Sequence, residues 1–580
     1  YAVIRGIGQA SDGRGHGLLA PSIEGETLAI QRAYSKSGID PASISLIEAH
    51  GTGIPLGDKT EIAALENVFG KRKATYGSVA LGSVKSMISH CIPAAGIAGL
   101  IKSALALHHK ILPPTLCDSV NPELGIASTP FYINTQKSPW VSQLNVSRRV
   151  GINSLGFGGI NTHAILEEAP ESAVKPEKFT PWDAEICIFS ADNREELTNN
   201  LKQAADFIDL NPERRIADIA AALAAKDKEG QYRLAIIAKD NEDLTRKIED
   251  SLRRLRKSDS ARWTTKSGIV YSEIRTAGKL AFLFPGEGSQ YIGMLSDLAM
   301  CFDEVRQWFD FWRSLYDDPP GSTRTDVIFP PISELTEQRQ LELEKRLNDM
   351  DVGSEAAFIG GQAMYALLRS LGVEPDVMVG HSSGESSALA ASGAIPADNP
   401  QQLAEFIRQL NKVYQQILKD GKIPVGKLLT VGALPLTVVE KHIDALNENI
   451  VIAMDNCTNQ LILYGDAGSI ESIHKSLSAE GGICFPLPFD RGYHTAAFSE
   501  ASKAFLKYYK KIRLACPRVP LYSCSSADLF PDTTPSVQQL AAAQWSTKVR
   551  FRETLLKMYH DGVRYFIEVG PSGNLSAFVK

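Results

Sequence analysis

Short apolar runs alternate along the chain with stretches in which apolar residues recur three and four positions apart. These are the periods of buried strands and of helices with one buried face. Ser45-Leu46-Ile47-Glu48-Ala49 and Val79-Ala80-Leu81-Gly82-Ser83-Val84 predict strands, and the span from Ala94 to His109 predicts a helix. The opening Tyr1-Ala2-Val3-Ile4-Arg5 also reads as a buried strand, giving residues 1–169 an α/β texture. From Glu168 to Pro181 the chain turns rich in Pro, Glu and Lys, the composition of a domain boundary. A second unit, residues 170–278, has strands at Ile186-Cys187-Ile188-Phe189 and Leu234-Ala235-Ile236-Ile237-Ala238 and helical patterns between and after them. It contains no histidine and no Gly-rich loop, so it reads as a spacer. A third unit, residues 279–580, opens with the strand Leu280-Ala281-Phe282-Leu283-Phe284. Within it, residues 424–487 keep a separate rhythm of strands and helices, which predicts an inserted small α+β subdomain.

Composition narrows the function classes. A chain of 580 residues is too long for one core and suggests three to four compact units. Hydrophobic residues at 44% and charged residues at 22% are ordinary for globular protein. The net charge of -6 carries no electrostatic footprint for nucleic acid or anionic membrane. Arg246 to Lys257 is a local basic run, read as a solvated helix face. The eight cysteines form no Cys-x-x-Cys pair and no zinc spacing, which fits reduced thiols in a cytoplasmic protein without a metal. No apolar run reaches the ~20 residues that span a bilayer, and the first residues form no signal peptide. A chain that opens inside a strand without Met reads as cut from something longer.

Chemistry concentrates first at Gly380-His381-Ser382-Ser383-Gly384. Gly-x-Ser-x-Gly makes a sharp strand-to-helix turn that lifts the serine oxygen above the sheet edge. The flanks agree: Val377-Met378-Val379 predicts a strand and Glu385 to Ala391 begins a helix. The helix N-terminus aims amide groups at a bound acyl oxygen, with the Ser383 N–H as an oxyanion donor. Ser382 needs a base, and the third unit offers His381, His442, His474, His494 and His560. His381 lies inside the turn, where geometry disfavours it. His494 follows the strand Cys484-Phe485-Pro486-Leu487, where the chain would re-enter the main sheet.

Residues 279–580 resemble the malonyl-type acyltransferases of polyketide and fatty-acid synthases. The resemblance rests on the elbow, on Phe284-Pro285-Gly286-Glu287-Gly288-Ser289-Gln290 as the opening loop, on His494 placed 112 residues after Ser382, and on Glu568-Val569-Gly570-Pro571 near the end. It implies a Ser382–His494 dyad, with His494 oriented by a main-chain carbonyl near Gln544-Trp545. It implies a second oxyanion N–H from Glu287, where the family has Gln, and Arg408 as the grip on a malonyl carboxylate. The tetrad Arg491-Gly492-Tyr493-His494 matches neither the malonyl nor the methylmalonyl pattern, and malonyl is the default only as the commonest extender.

Residues 1–169 resemble the C-terminal half of β-ketoacyl synthases. Glu48-Ala49-His50-Gly51-Thr52-Gly53 and Gly82-Ser83-Val84-Lys85-Ser86-Met87-Ile88-Ser89-His90 look like their two histidine loops, and Gly156-Phe157-Gly158-Gly159-Ile160-Asn161 like their final glycine loop. By that resemblance His50 and His90 stabilise the thioester oxygen and enolate, Lys85 orients the site, and a cysteine from an N-terminal half outside this sequence holds the growing chain. Cys524-Ser525-Ser526 imitates that nucleophile on an apparent strand, and Cys91 reads as a packed residue. Met87 and Ser89 give the second loop the look of iterative synthases of the polyunsaturated-fatty-acid, enediyne and glycolipid kinds.

Together these resemblances imply a piece of a type I polyketide synthase of α/β multidomain class. Its components are half of a thiolase-like fold, an α/β linker domain, and an α/β-hydrolase-like acyltransferase with a ferredoxin-like subdomain. The implied partners are malonyl-CoA or a related acyl-CoA, the phosphopantetheine thiol of an acyl carrier protein, and a second copy through the synthase region, with no bound cofactor. A thioester hydrolase using the same Ser-His pair, or a non-catalytic scaffold, are the alternatives.

Overall fold

A computed structural model describes every residue except 14–16, 18–19, 74–75, 157, 171–181, 227–229, 258–259, 320, 396–398, 424, 447–448, 489, 513 and 580. Phe157 of the final glycine loop, most of the Pro-, Glu- and Lys-rich boundary, and Pro424 at the expected start of the small subdomain therefore lie outside the described residues.

Tyr1–Val174 and Lys279–Lys580 form one compact unit and Lys175–Gly278 another. In the first, a six-stranded sheet runs in the order Ala2–Ser11, Ile160–Glu168, Arg149–Gly156, Leu46–Glu48, Val79–Gly82, Phe131–Ile133. Its first three strands pair antiparallel and the rest parallel. Strands buried on both faces read as unbroken apolar runs, and Leu46–Glu48 and Val79–Gly82 are buried throughout. Glu48 and Gly82 are parallel register partners, so the two histidine loops leave the sheet side by side.

The acyltransferase-like region is built on Asp528–Leu529, Leu521–Ser523, Val377–Gly380, Lys279–Phe284 and Val563–Glu568, in that order. All neighbours are parallel except the first pair. The main core packs the helix Met350–Ser370, which buries thirteen of its residues, against this sheet and the helices Asp303–Arg313 and Pro400–Lys419. Phe284 and Gly380 are register partners, which sends the opening loop and the serine elbow out of adjacent strands. An antiparallel sheet ordered Val451–Cys457, Gln460–Gly465, Lys427–Gly432, Ile483–Pro486, with helices Leu436–Leu446 and Ala467–Ala479, has the βαββαβ order of a ferredoxin-like subdomain.

Chain order divides residues 1–169 from 279–580, whereas the structure joins them. Arg148 is almost wholly buried and holds both Asp310 oxygens at 2.9 and 2.7 Å, Glu168 at 3.1 Å and the Trp140 carbonyl at 2.6 Å. Removing one partner of such a pair strands the other charge in a low-dielectric site. Asp310→Ala should therefore lower stability in urea unfolding by about 3 kcal/mol. Lys475→Ala, which breaks an exposed pair with Glu471, should change it by less than ~1 kcal/mol.

The other unit, Lys175–Gly278, has a four-stranded antiparallel sheet ordered Arg262–Thr264, Ile269–Ser272, Tyr232–Ala238, Glu185–Ala191. The helices Arg194–Leu210, Ile216–Lys226 and Asn241–Lys257 cover its apolar face. The basic run lies on the last of these, with Arg246 and Lys247 paired to Asp243 and Arg254 to Asp250.

Candidate active site

Gly380 closes its strand against the helix Gly384–Ala391, and a Cβ there would stand 2.3 Å from the Glu385 backbone. At Gly384 a Cβ would stand 2.2 Å from the Phe284 carbonyl oxygen, so only glycine lets the chain turn this tightly. Ser382, between them, is held at φ 54°, a left-handed backbone that a non-glycine residue adopts at a cost.

Ser382 Oγ lies 2.7 Å from His494 Nε2. His494 Nδ1 lies 2.8 Å from the Gln544 carbonyl oxygen, and the His494 backbone N–H donates to the Trp545 carbonyl at 3.0 Å. The carbonyl only accepts, so Nδ1 carries the proton and Nε2 presents its lone pair to the serine. His494 is 2% exposed, and this burial pushes its pKa down to about 4 against the opposing pull of the Gln544 carbonyl. The imidazole is thus a neutral acceptor over the physiological range.

The structure brings none of the other candidate bases to Ser382. His381 Nε2 is 2.7 Å from Asn456 Oδ1 and its ring meets Phe551 edge-on. His442 bonds Ser476 in the small subdomain. Cys524 is buried, donates to the Gly380 carbonyl at 3.2 Å and has its thiol pKa pushed up by burial.

Ser383 is the N-cap of the helix Gly384–Ala391, so its N–H stands at the helix N-terminus. The Glu287 N–H is already engaged by Ser383 Oγ at 2.8 Å, so this hydroxyl must swing aside before that amide can meet an oxyanion. The Glu287 side chain is 8% exposed, one of its oxygens has no hydrogen-bond partner, and Arg491 Nη1 lies 3.6 Å from it. Burial raises its pKa to about 7, with Arg491 pulling it down and Asp349 adding to the rise.

Arg408, the expected carboxylate grip, lies on the helix Pro400–Lys419. Its Nη1 donates to the Leu315 carbonyl at 3.2 Å and its other end faces Glu405 at 3.7 Å on the same helix. The buried positions of that helix, Leu403, Ala404, Phe406, Ile407, Tyr414 and Ile417, leave Arg408 at the margin of the packed face. Arg491, which the sequence singled out only within its tetrad, is the guanidinium set beside the opening loop. Asn456 carried no sequence signal, because its place depends on how the small subdomain docks.

In the synthase-like half, the rings of His50 and His90 meet at 5.4 Å. Burial, Lys85 and His90 push the His50 pKa down to about 4. The loop is braced by residues the sequence did not single out: Glu61 accepts from the His50 and Gly51 amides at 2.7 and 2.8 Å and from Asn153 at 2.8 Å. Lys85 stands near enough to His50 to lower its pKa, while its own pKa is lowered by burial. Among the described residues no group of three or more His, Cys, Asp or Glu is placed to hold a metal, and no helix is long and apolar enough to cross a membrane.

Comparison with known proteins sets this geometry in a family. The β-ketoacyl synthase C-terminal domain matches residues 1–117, the ketoacyl-synthetase C-terminal extension residues 121–237, and the acyl transferase domain residues 281–580. A polyunsaturated fatty acid synthase polypeptide of a Thraustochytrium species is 29% identical over all of this chain, which spans 21% of that protein. A polypeptide of the phenolphthiocerol/phthiocerol polyketide synthase of Mycobacterium tuberculosis is 28% identical over 99% of this chain, which spans 37% of its length. The solved acyltransferase domain of ZmaA shares the fold with a TM-score of 0.54 at 19% identity, covering 69% of this chain and 86% of that one. The acyltransferase domain from module 8 of the salinomycin polyketide synthase gives 0.53 at 20% identity, with 69% and 88% covered. More than half of the chain matches the acyl transferase domain, and the chain belongs to that family, carrying the C-terminal domain of a β-ketoacyl synthase ahead of it.

Proposed function

We propose that this chain loads an acyl group, malonyl as the default, from CoA onto the phosphopantetheine thiol of an acyl carrier protein, within a type I polyketide or fatty-acid-like synthase. The observation that carries the reading is the Ser382 Oγ to His494 Nε2 contact of 2.7 Å, with the opposite ring nitrogen locked on a main-chain carbonyl.

In the first half-reaction Ser382 Oγ adds to the thioester carbon while His494 takes its proton. The oxyanion forms against the Ser383 amide and, once the Ser383 hydroxyl has moved, the Glu287 amide. Collapse expels the CoA thiolate, which takes the proton back from His494. In the second, the carrier thiol gives its proton to His494 and attacks the acyl-serine, and Ser382 leaves reprotonated. A thiolate is a far better leaving group than an amine, so the imidazolium is short-lived and a carbonyl in place of a carboxylate suffices to orient it.

His50 and His90, with Lys85 near His50, would serve a decarboxylative condensation whose thiolate the resemblance places outside this sequence. A dimer through the synthase region belongs to the same reading.

The experiment is a partition. A malonyl adduct on Ser382 should form on mixing with malonyl-CoA, and added phosphopantetheinyl carrier should discharge it faster than water does. Release of free malonate at one rate with or without carrier would make the protein a hydrolase. No adduct at all would leave the scaffold reading.

A further inference from the structure

We propose that Arg491, and not Arg408, receives the free carboxylate of a dicarboxylate acyl group, displacing Glu287 as its resting counter-ion. The proposal rests on the reading that Ser382 carries the acyl group and goes beyond it in naming what selects the acyl class.

A carboxylate carried on an acyl-serine must find a cation within reach of the elbow, since an unpaired charge in a site this buried is strongly disfavoured. Arg408 donates to the Leu315 carbonyl at 3.2 Å and faces Glu405 at 3.7 Å, and neither partner belongs to the opening loop, the elbow or the base. Arg491 sits three residues before the base, with its side chain 15% exposed, where four segments of the fold converge. Its Nη1 donates to the Tyr493 hydroxyl at 2.7 Å and its Nη2 to the Asn348 carbonyl at 3.4 Å, and it lies over the Tyr414 ring at 6.0 Å. The fourth segment is the opening loop, where Glu287 Oε1 stands 3.6 Å away, too far for a hydrogen bond.

Arg491 thus faces two carboxylates without a hydrogen bond to either, the buried Glu287 Oε1 at 3.6 Å and the exposed Asp490 Oδ1 at 3.9 Å. The carboxylate oxygen nearest the cation is buried and without a hydrogen bond, and the guanidinium has five N–H groups against two bonds. A substrate carboxylate can make the two parallel bonds that Glu287 does not make. The place is right, because the Glu287 amide bonds the hydroxyl of Ser383, the neighbour of Ser382, and Tyr493 is the neighbour of His494. Glu287 faces Arg491 and Asp349, with Tyr414 and Tyr493 beyond, and its pKa near 7 makes its neutral form accessible when a second carboxylate arrives.

The test compares malonyl-CoA with acetyl-CoA, which differ by the carboxylate alone, as initial rates of Ser382 adduct formation by intact mass. The wild-type protein should favour malonyl. Arg491→Gln should lower the malonyl-to-acetyl ratio by about 100-fold, while Arg408→Gln leaves it within about twofold. Should Arg491→Gln fail to fold, Glu287→Gln reads the same pair from the other side and should raise the ratio. A wild-type preference for acetyl, an unchanged ratio in Arg491→Gln, or a loss that follows Arg408→Gln instead would overturn the proposal and leave serine acyl transfer standing. An adduct with neither acyl-CoA would overturn the acyl-enzyme reading and this inference with it.

Discussion

Ser382→Ala should abolish the covalent acyl adduct and cut acyl transfer to a carrier by about 10⁴-fold or more. The size follows from the path: without the hydroxyl there is no acyl-serine, and direct attack of one thiol on the other's thioester would have to use the oxyanion amides and binding alone. The variant should also fold. Alanine bears the φ of 54° no worse than serine does, and the side-chain contact it removes is the one to His494 Nε2. A urea midpoint within ~1 kcal/mol of wild type is therefore expected, which separates a lost nucleophile from a lost fold. Loss of labelling with an unchanged midpoint supports the assignment. Labelling that persists at another residue would remove Ser382 from the mechanism.

What the sequence made legible is what local constraints determine. The elbow could be read because strand, glycine, serine, glycine and helix follow one another within about a dozen residues, and each residue type answers to a steric need seen in the structure. The alternation of strands and helices in the small α+β subdomain could be read for the same reason, its βαββαβ order only from the structure. Side-chain direction on a long helix was less legible. Leu403 to Gln409 reads as a helix carrying Arg408, but which way that arginine turns depends on the Leu315 carbonyl, 93 residues earlier in the chain. The apolar positions Leu403, Ala404, Ile407 and Tyr414 did mark the buried face, and weighing them would have set Arg408 at its edge. Long-range charge pairing was not legible at all. Arg148 and Asp310 lie 162 residues apart, and nothing in either neighbourhood announces the other. Their union ties the synthase-like half to the acyltransferase-like region within a single compact unit. Glu287 was visible as a departure from the family loop; its counter-charge, four residues from the small subdomain's last predicted strand, could be assigned only once the loops were placed together.

The second large effect belongs to the base. His494→Asn should reduce the rate of adduct formation by about 10³-fold, within the range that loss of a positioned general base produces. Asparagine suits this test because His494 is held at φ 59°, a left-handed backbone that Asn tolerates and alanine adopts less readily. Its shorter amide cannot carry a lone pair to Ser382 Oγ as the ring does. The pH profile supplies the readout that a merely structural role would not move. Burial lowers the His494 pKa to about 4, so the neutral, proton-accepting form persists well below the ordinary histidine range. The sign is fixed by the role: protonation removes the base, so kcat/KM for acylation should stay level as pH falls from neutrality and drop only as it approaches about 4. In His494→Asn that acid limb should vanish along with most of the rate. An acid limb near the ordinary histidine value of about 6.5 would mean that the catalytic imidazole is solvated. It would then not be the one locked between Ser382 and the Gln544 carbonyl.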